Sequence, residues 1–325
     1  MTIWLSIKQK YTMFSHEIDF INHLFVDESP VPLHRPYFSD REKALLFDCV
    51  DSTYVSSIGS YVEEFEHLLR KYTGSKYAIA VVNGTSALHV ALKVGGVDRN
   101  DEVITQPFTF VATCNAISYC GAHPVFVDIS KESLGMSSTS LSEFLQNNVN
   151  MKGGKAINKK SGRSIKAVLP MHTFGNPCEI VQIKKICDEY GIALIEDAAE
   201  SLGSLLDKKH LGTFGLMGVL SFNGNKIITT GGGGAVITDS EECAVKLKHI
   251  TTTAKINSKY GFEHDEVGYN YRMPNINAAL GCAQMEKLEE FIDNKRELFE
   301  LYKQFFYYFF SHIFLHLQLF LSNQS

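Results

Sequence analysis

Between Tyr61 and Thr238, short apolar runs alternate with segments of helical periodicity. Tyr61, Phe65, Leu68, Leu69 and Tyr72 recur at the spacing of one helix face, and Gly74 supplies a stop. Tyr77–Val82 follows as a continuous apolar run of strand length, and Asn83-Gly84-Thr85-Ser86 then opens a helix over 87–94. Residues 103–105, 124–128, 167–170, 193–196, 217–222 and 235–238 are further strand candidates, with helices over 110–119 and 179–190 between them. Strands buried on both faces read as unbroken apolar runs rather than as alternation. The pattern therefore predicts an α/β fold with a mainly parallel sheet covered by helices on both sides.

Three stretches fall outside this rhythm. The prolines of Pro30–Pro36 block helix, so residues 1–58 read as an arm with helical and extended parts. Residues 151–163 are basic and polar and read as a solvated loop. A nucleic-acid patch would need interleaved aromatics and a wider basic face, and the net charge of −5 argues the same way. The run Phe305–Leu321 is aromatic and almost uncharged. It touches the lower length limit for a membrane helix, yet it holds two histidines, a glutamine and a serine, with no Lys or Arg after it, so a membrane partner is not expected. A terminal segment buried in a larger fold and a chain end altered by frameshift or truncation are the other readings. Seven scattered cysteines without a Cys-x-x-Cys pair fit reduced thiols in a cytoplasmic protein, and no metal site is expected. The opening residues lack the order of a secretory signal, and Met13 serves as well as Met1 for a start.

Lys226 carries the most chemical information. It lies between the 217–222 strand and the run Gly231–Gly234, about thirty residues after Glu196-Asp197-Ala-Ala-Glu200. A lysine beside a glycine-rich backbone serves as a phosphate clamp, as a Schiff-base nucleophile or as an ordinary surface residue. The upstream carboxylates favour the nucleophile, because aldehyde cofactors need both an amine and an acid that keeps a pyridine nitrogen protonated. Asp197 ends a strand at the sheet edge where open α/β folds bind ligands, with helix capping as the competing reading. Gly84, Thr85 and Ser86 sit at a strand-to-helix junction whose free N–H groups suit an anion, although Ser and Thr cap many helices without one.

Taken together the motifs resemble the DegT/DnrJ/EryC1/StrS family of pyridoxal-phosphate-dependent nucleotide-sugar aminotransferases. The matching pieces are Val82–Leu88, Pro107–Thr113, Glu196–Ser201, Ser221–Lys226 with its glycine run, and Gly268–Met273. The wording around Ser56–Gly59, Thr105–Phe110 and Ala199–Gly203 is most similar to the LegC-type branch. The resemblance implies an aspartate-aminotransferase-like fold (fold type I), with a cofactor-binding large domain over 59–275, a linking helix over 276–304, and the tail 305–325 in place of a C-terminal lobe. It implies pyridoxal 5′-phosphate as cofactor, with Lys226 as the amine that bonds it and shuttles a proton. Asp197 pairs with the ring nitrogen, and Phe110 stacks on the ring. Gly84, Thr85, Ser86 and Ser221 hold the phosphate. Asn270 reaches the phosphate of a neighbouring subunit in a homodimer with shared sites. Glu200 stands near the ring hydroxyl or the substrate. The implied reaction moves an amino group from glutamate to C4 of a UDP-linked 4-keto-6-deoxy-N-acetyl sugar. An inactive remnant that binds cofactor or dimerises is the alternative. Phe110 as ordinary core, Asn270 as a turn residue, Arg272 as an ion-pair partner and His172 as a buried structural histidine are the competing local readings.

Overall fold

The structure is a computed structural model that describes residues 14–26, 28–257 and 261–322. It divides into two units at Tyr37/Phe38. The first holds helix α1 (Ser15–Leu24) and the proline-rich stretch, where Arg35 pairs with Glu28. Helix α2 (Asp40–Asp51), expected in the arm, belongs to the second unit. Its capping box of Ser39 and Glu42 starts it, and the buried Glu42 carboxylate also accepts from Gln284 Nε2 at 2.7 Å.

The second unit is built on a seven-stranded sheet in the order β1–β11–β10–β7–β6–β2–β3. The strands are β1 (Tyr77–Val81), β2 (Glu102–Thr105), β3 (His123–Phe126), β6 (Ile165–Leu169), β7 (Ala193–Asp197), β10 (Met217–Ser221) and β11 (Gly234–Thr238). Only β11 runs against the rest. Helices α3 (Ser60–Thr73), α4 (Gly84–Val94), α5 (Val111–Tyr119), α6 (Ser138–Asn148), α7 (Ile180–Tyr190) and α8 (Glu241–Thr251) cover it. Burial on both faces explains the apolar runs of β1, β10 and β11 and the apolar residues 103–104 and 193–195 of β2 and β7, whose polar ends are buried as well. Because β1, β6, β7 and β10 point the same way, Asn83, Met171, Asp197 and Ser221 all emerge at one edge of the sheet.

The polar stretch read as a loop contains a hairpin instead. Val149–Lys152 (β4) pairs with Lys155–Asn158 (β5) through Gly153-Gly154, both at positive φ. Glycine tolerates that conformation without a Cβ clash, which is what the tight turn needs. Two-residue strand pairs β8 (Leu205–Leu206) and β9 (Lys209–His210) and the short pair β12 (Lys255–Asn257) and β13 (Phe262–His264) lie outside the main sheet. The single helix expected over 276–304 is two, α9 (Asn275–Met285) and α10 (Leu288–Ser322), the second running on through the aromatic stretch. Among the described residues no helix is long and apolar enough to cross a membrane.

Phe65 of α3 and Phe222 after β10 are fully buried and meet edge to face, with ring centroids 5.0 Å apart. Phe222 also closes the loop that carries Lys226, since its N–H donates to Gly233 O and its carbonyl accepts from Thr230 N. Phe65→Ala is expected to cost about 3–5 kcal/mol, read as a lowered midpoint in urea unfolding.

Candidate active site

One cavity of about 270 Å³ collects most of the residues singled out in the sequence. Gly84, Thr85, Phe110, Asp197, Glu200, Ser221 and Lys226 line it, together with Asn83, Met171, Asn223 and Asn225. They arrive from the start of α4, the residue before α5, and the ends of β6, β7 and β10 with the segments that follow them, all at the same sheet edge, where ligands bind open α/β sheets.

The floor of the cavity is the N-terminus of α4. The helix is capped by Asn83, whose Oδ1 accepts from Ser86 N at 2.8 Å. Thr85 and Ser86 are therefore not its caps, and the first N–H groups of the helix remain for an anion. Ser86 itself is buried beneath the cavity, not in its lining. Gly84 touches Ser221 so closely that a Cβ would lie 2.9 Å from the serine Cβ and 3.0 Å from its Oγ. The missing side chain brings backbone N–H groups and the Ser221 hydroxyl into one cup.

Opposite the cup stands Asp197, 3% exposed. Thr113 Oγ1 donates to its Oδ2 at 2.7 Å, and Ala199 N donates to its Oδ1 at 3.2 Å. Burial pushes this carboxyl above the usual range, against the pull of those two donors. A buried carboxylate so placed gains from a cation at its remaining lone pairs. No α-helix begins at Asp197, which removes the capping alternative. Lys226 Nζ donates to Glu200 Oε1 at 3.0 Å, and the two side chains are 15% and 26% exposed. The second oxygen of Glu200 accepts from Phe174 N at 3.0 Å. Phe110 is 68% exposed and so is not core; its ring stands at the rim just before α5.

Two candidates lie elsewhere. Asn270 is exposed and outside the cavity lining, where its Oδ1 accepts from Arg272 Nη2 at 3.1 Å. Arg272 thus bonds an amide rather than the acidic partner expected of it. His172 is fully buried, with Nε2 2.9 Å from Glu196 Oε2, as a structural histidine would be. Thr113, the strongest protein contact of Asp197, was not picked out by sequence reasoning. It lies inside the matching run Pro107–Thr113, but a helix-interior threonine has no local signal that marks it as a carboxylate donor.

Comparison with known proteins agrees with this geometry. The model of the DegT/DnrJ/EryC1/StrS aminotransferase family matches residues 36–313. The chain belongs to this family. GDP-perosamine synthase of Vibrio cholerae is 40% identical over 273 residues, covering 84% of this chain and 70% of that protein. Helicobacter pylori PseC, an aminotransferase involved in the biosynthesis of pseudoaminic acid, superposes with a TM-score of 0.70 at 28% identity. That match covers 79% of this chain and 66% of PseC. DesI, solved in the presence of its TDP-sugar product, gives 0.72 at 28% identity over 83% of this chain and 64% of DesI. The chain thus spans just under two thirds of these two solved relatives. Family and fold place it among the fold-type I, pyridoxal-phosphate-dependent aminotransferases. The residues present fit that cofactor, because one cavity is lined by an anion cup, a buried, cation-seeking carboxylate and a lysine amine.

Proposed function

We propose that this chain is a nucleotide-sugar aminotransferase that takes the amino group of glutamate and passes it to a keto carbon of a sugar, in glycan or nonulosonic-acid biosynthesis. The observation that carries the reading is the meeting of Lys226, buried Asp197 and the Gly84–Ser221 cup in one cavity. At about 270 Å³ the cavity falls just below the usual ligand-pocket range of roughly 300–1,000 Å³. It has room for a small cofactor, so the nucleotide sugar sits outside it, toward the exposed Phe110.

Bound pyridoxal phosphate supplies an aldehyde that carries the amino group and a ring that accepts the electrons left when a C–H bond breaks. The N–H groups of Gly84 and Thr85, the hydroxyls of Thr85 and Ser221 and the dipole of α4 hold the phosphate, with Ser86 keeping the turn in shape through its bond to Asn83. Asp197 keeps a proton on the ring nitrogen, while Thr113 and Ala199 fix the direction of its oxygens. Lys226 anchors the cofactor and carries a proton off the α-carbon of the donor. Glu200 orients that amine. Phe110 covers one face of the ring.

Asn270 serves a second copy of the chain. Its position outside its own cavity supports this reading, as do the exposed rings of Phe108, Phe110 and Phe174. The acceptor is a 4-keto-6-deoxy-N-acetyl sugar on UDP, a reading supported by the LegC-like wording around Ser56–Gly59 and Ala199–Gly203. A GDP-linked sugar is the second reading, favoured by the 40% identity to a GDP-perosamine synthase. Amination of the two keto sugars by the cofactor-loaded protein, with glutamate as donor, is expected to show kcat/KM about tenfold or more in favour of UDP, the size of one good polar discrimination. A preference for GDP moves the assignment to the second reading. Amination of neither sinks the nucleotide-sugar role.

A further inference from the structure

The residues just past β6 make contacts that the chemistry above does not use. Met171 lines the cavity, and its N–H donates to Gln106 Oε1 at 3.1 Å. His172 turns the other way, onto Glu196, and its backbone N–H donates to Asp197 O at 3.1 Å. Its Nδ1 accepts from Cys178 N at 3.2 Å. Thr173 Oγ1 accepts from Gln106 Nε2 at 3.1 Å and donates to Leu134 O at 3.0 Å. Glu196 is itself immobilised, since its two oxygens also accept from the N–H groups of Gly212, Phe214 and Gly215 at 2.6–2.8 Å. The next residue, Phe174, takes φ 55°, a left-handed conformation rare for a bulky side chain. Its ring is 69% exposed and packs edge to face against Phe108 alone among the described rings, so burial of the ring does not account for the strain.

A strained conformation persists where the surroundings over-determine it, and here the anchors on both sides do so. The Phe174 N–H lies in the peptide plane that the anchored Thr173 sets, and it ends on Glu200 Oε2, while the left-handed step turns the chain at once toward Gly175. Gly175 follows at φ 77°, where a Cβ would lie 2.7 Å from the Glu200 carbonyl oxygen. The turn and Glu200 therefore touch at two points.

We propose that the Met171–Gly175 turn is a positioning element for Glu200: the Phe174 N–H holds Oε2, which leaves Oε1 facing Lys226 Nζ. The turn acts through Glu200, and its anchor is the buried pair His172–Glu196, one residue from Asp197. The same turn thus meets Glu200 at its carboxylate and Asp197 at its main-chain carbonyl. The meaning of this device for transamination rests on the roles given above to Lys226 and Glu200; the geometry does not.

The test uses the full chain without added cofactor, so that it reports on the turn alone. Brief competitive acetylation near neutral pH is read by mass spectrometry as labelling of Lys226 relative to exposed Lys185. Loss of a partly buried ion-pair partner leaves the amine less tied up. Glu200→Gln is expected to raise relative labelling about fivefold, and Gly175→Ala to raise it by a similar factor. The double variant is expected to stay within about twofold of Glu200→Gln, because two changes acting through one group do not add. Phe174→Ala, which keeps the N–H and removes the ring, is expected to label like the parent. Should Gly175→Ala not fold, Thr173→Val loosens the same turn and is expected to take its place in the cycle. Gly175→Ala, or Thr173→Val in its place, folding and labelling like the parent overturns the proposal, as does an effect that multiplies with that of Glu200→Gln. Failure of the wider functional reading would show separately, as wild-type protein on which borohydride fixes no cofactor at Lys226.

Discussion

Lys226→Ala is expected to leave the protein folded and to remove its chemistry. Among the described residues Lys226 makes one ion pair, with Glu200, and both side chains are largely buried at the cavity wall. Breaking so sheltered a pair costs more than the about 0–1 kcal/mol of a surface pair, but Glu200 keeps the Phe174 N–H, so the fall in the thermal transition should be small beside the loss of rate. A residue that carries the proton in the rate-determining transfer contributes far more, on the order of 10²–10⁴-fold in rate. The variant should therefore convert glutamate to its keto acid at least about a hundredfold more slowly. It should also retain no cofactor through borohydride treatment and denaturation. A large fall in stability would instead mean that Lys226 is structural.

Asp197→Asn should also separate activity from stability, with a pH dependence of its own. The carboxyl is buried, and burial pushes its pKa up in the folded protein. An acid whose folded value lies above its unfolded value binds more protons when folded. Without cofactor, folding stability from this group is therefore greatest at low pH. It declines as pH rises through the ordinary carboxylate range toward the raised folded value. Asparagine has the same shape and no charge, so the variant should lose that decline and be no less stable than the parent at neutral pH. Its donor half-reaction should nevertheless fall by about 10²–10³-fold, the usual consequence of removing one preorganised electrostatic partner of a developing charge. Urea unfolding across pH and single-turnover rates with glutamate measure the two effects. A variant that is both unstable and active would remove Asp197 from the site.

The strands were legible because burial on both faces leaves unbroken apolar runs, as in Ala78–Val81 and Val219–Leu220. Their order was not legible in detail. Nothing in Gly234–Thr238 distinguishes the one reversed strand from its neighbours, since direction is set by the route of the chain and not by side chains. Lys226, Asp197 and Gly84 could be found because a lysine, a strand-end carboxylate and a strand-to-helix glycine each have a local cause. Thr113 and Phe174 could not. A hydroxyl that meets Asp197 across 84 positions and an N–H held toward Glu200 by an anchored turn are products of the tertiary fold. The hairpin at 149–158 was in principle readable, for Gly153-Gly154 between two short strands is a turn signal that the surrounding lysines and asparagines obscured. The break between α9 and α10 has neither Gly nor Pro at Glu286-Lys287 and gave no warning.

The cavity that gathers Lys226, Asp197 and the Gly84–Ser221 cup is expected to carry out the donor half of transamination. The most direct measurement is to load the wild-type protein with pyridoxal phosphate, add glutamate in single turnover, and follow the absorption spectrum together with 2-oxoglutarate released per site. The expected result is conversion of the bound cofactor to its amine form with one keto acid formed per site, and borohydride labelling of Lys226 only before glutamate is added. Cofactor bound at Lys226 with no keto acid released would contradict it and leave a cofactor-binding protein without the reaction.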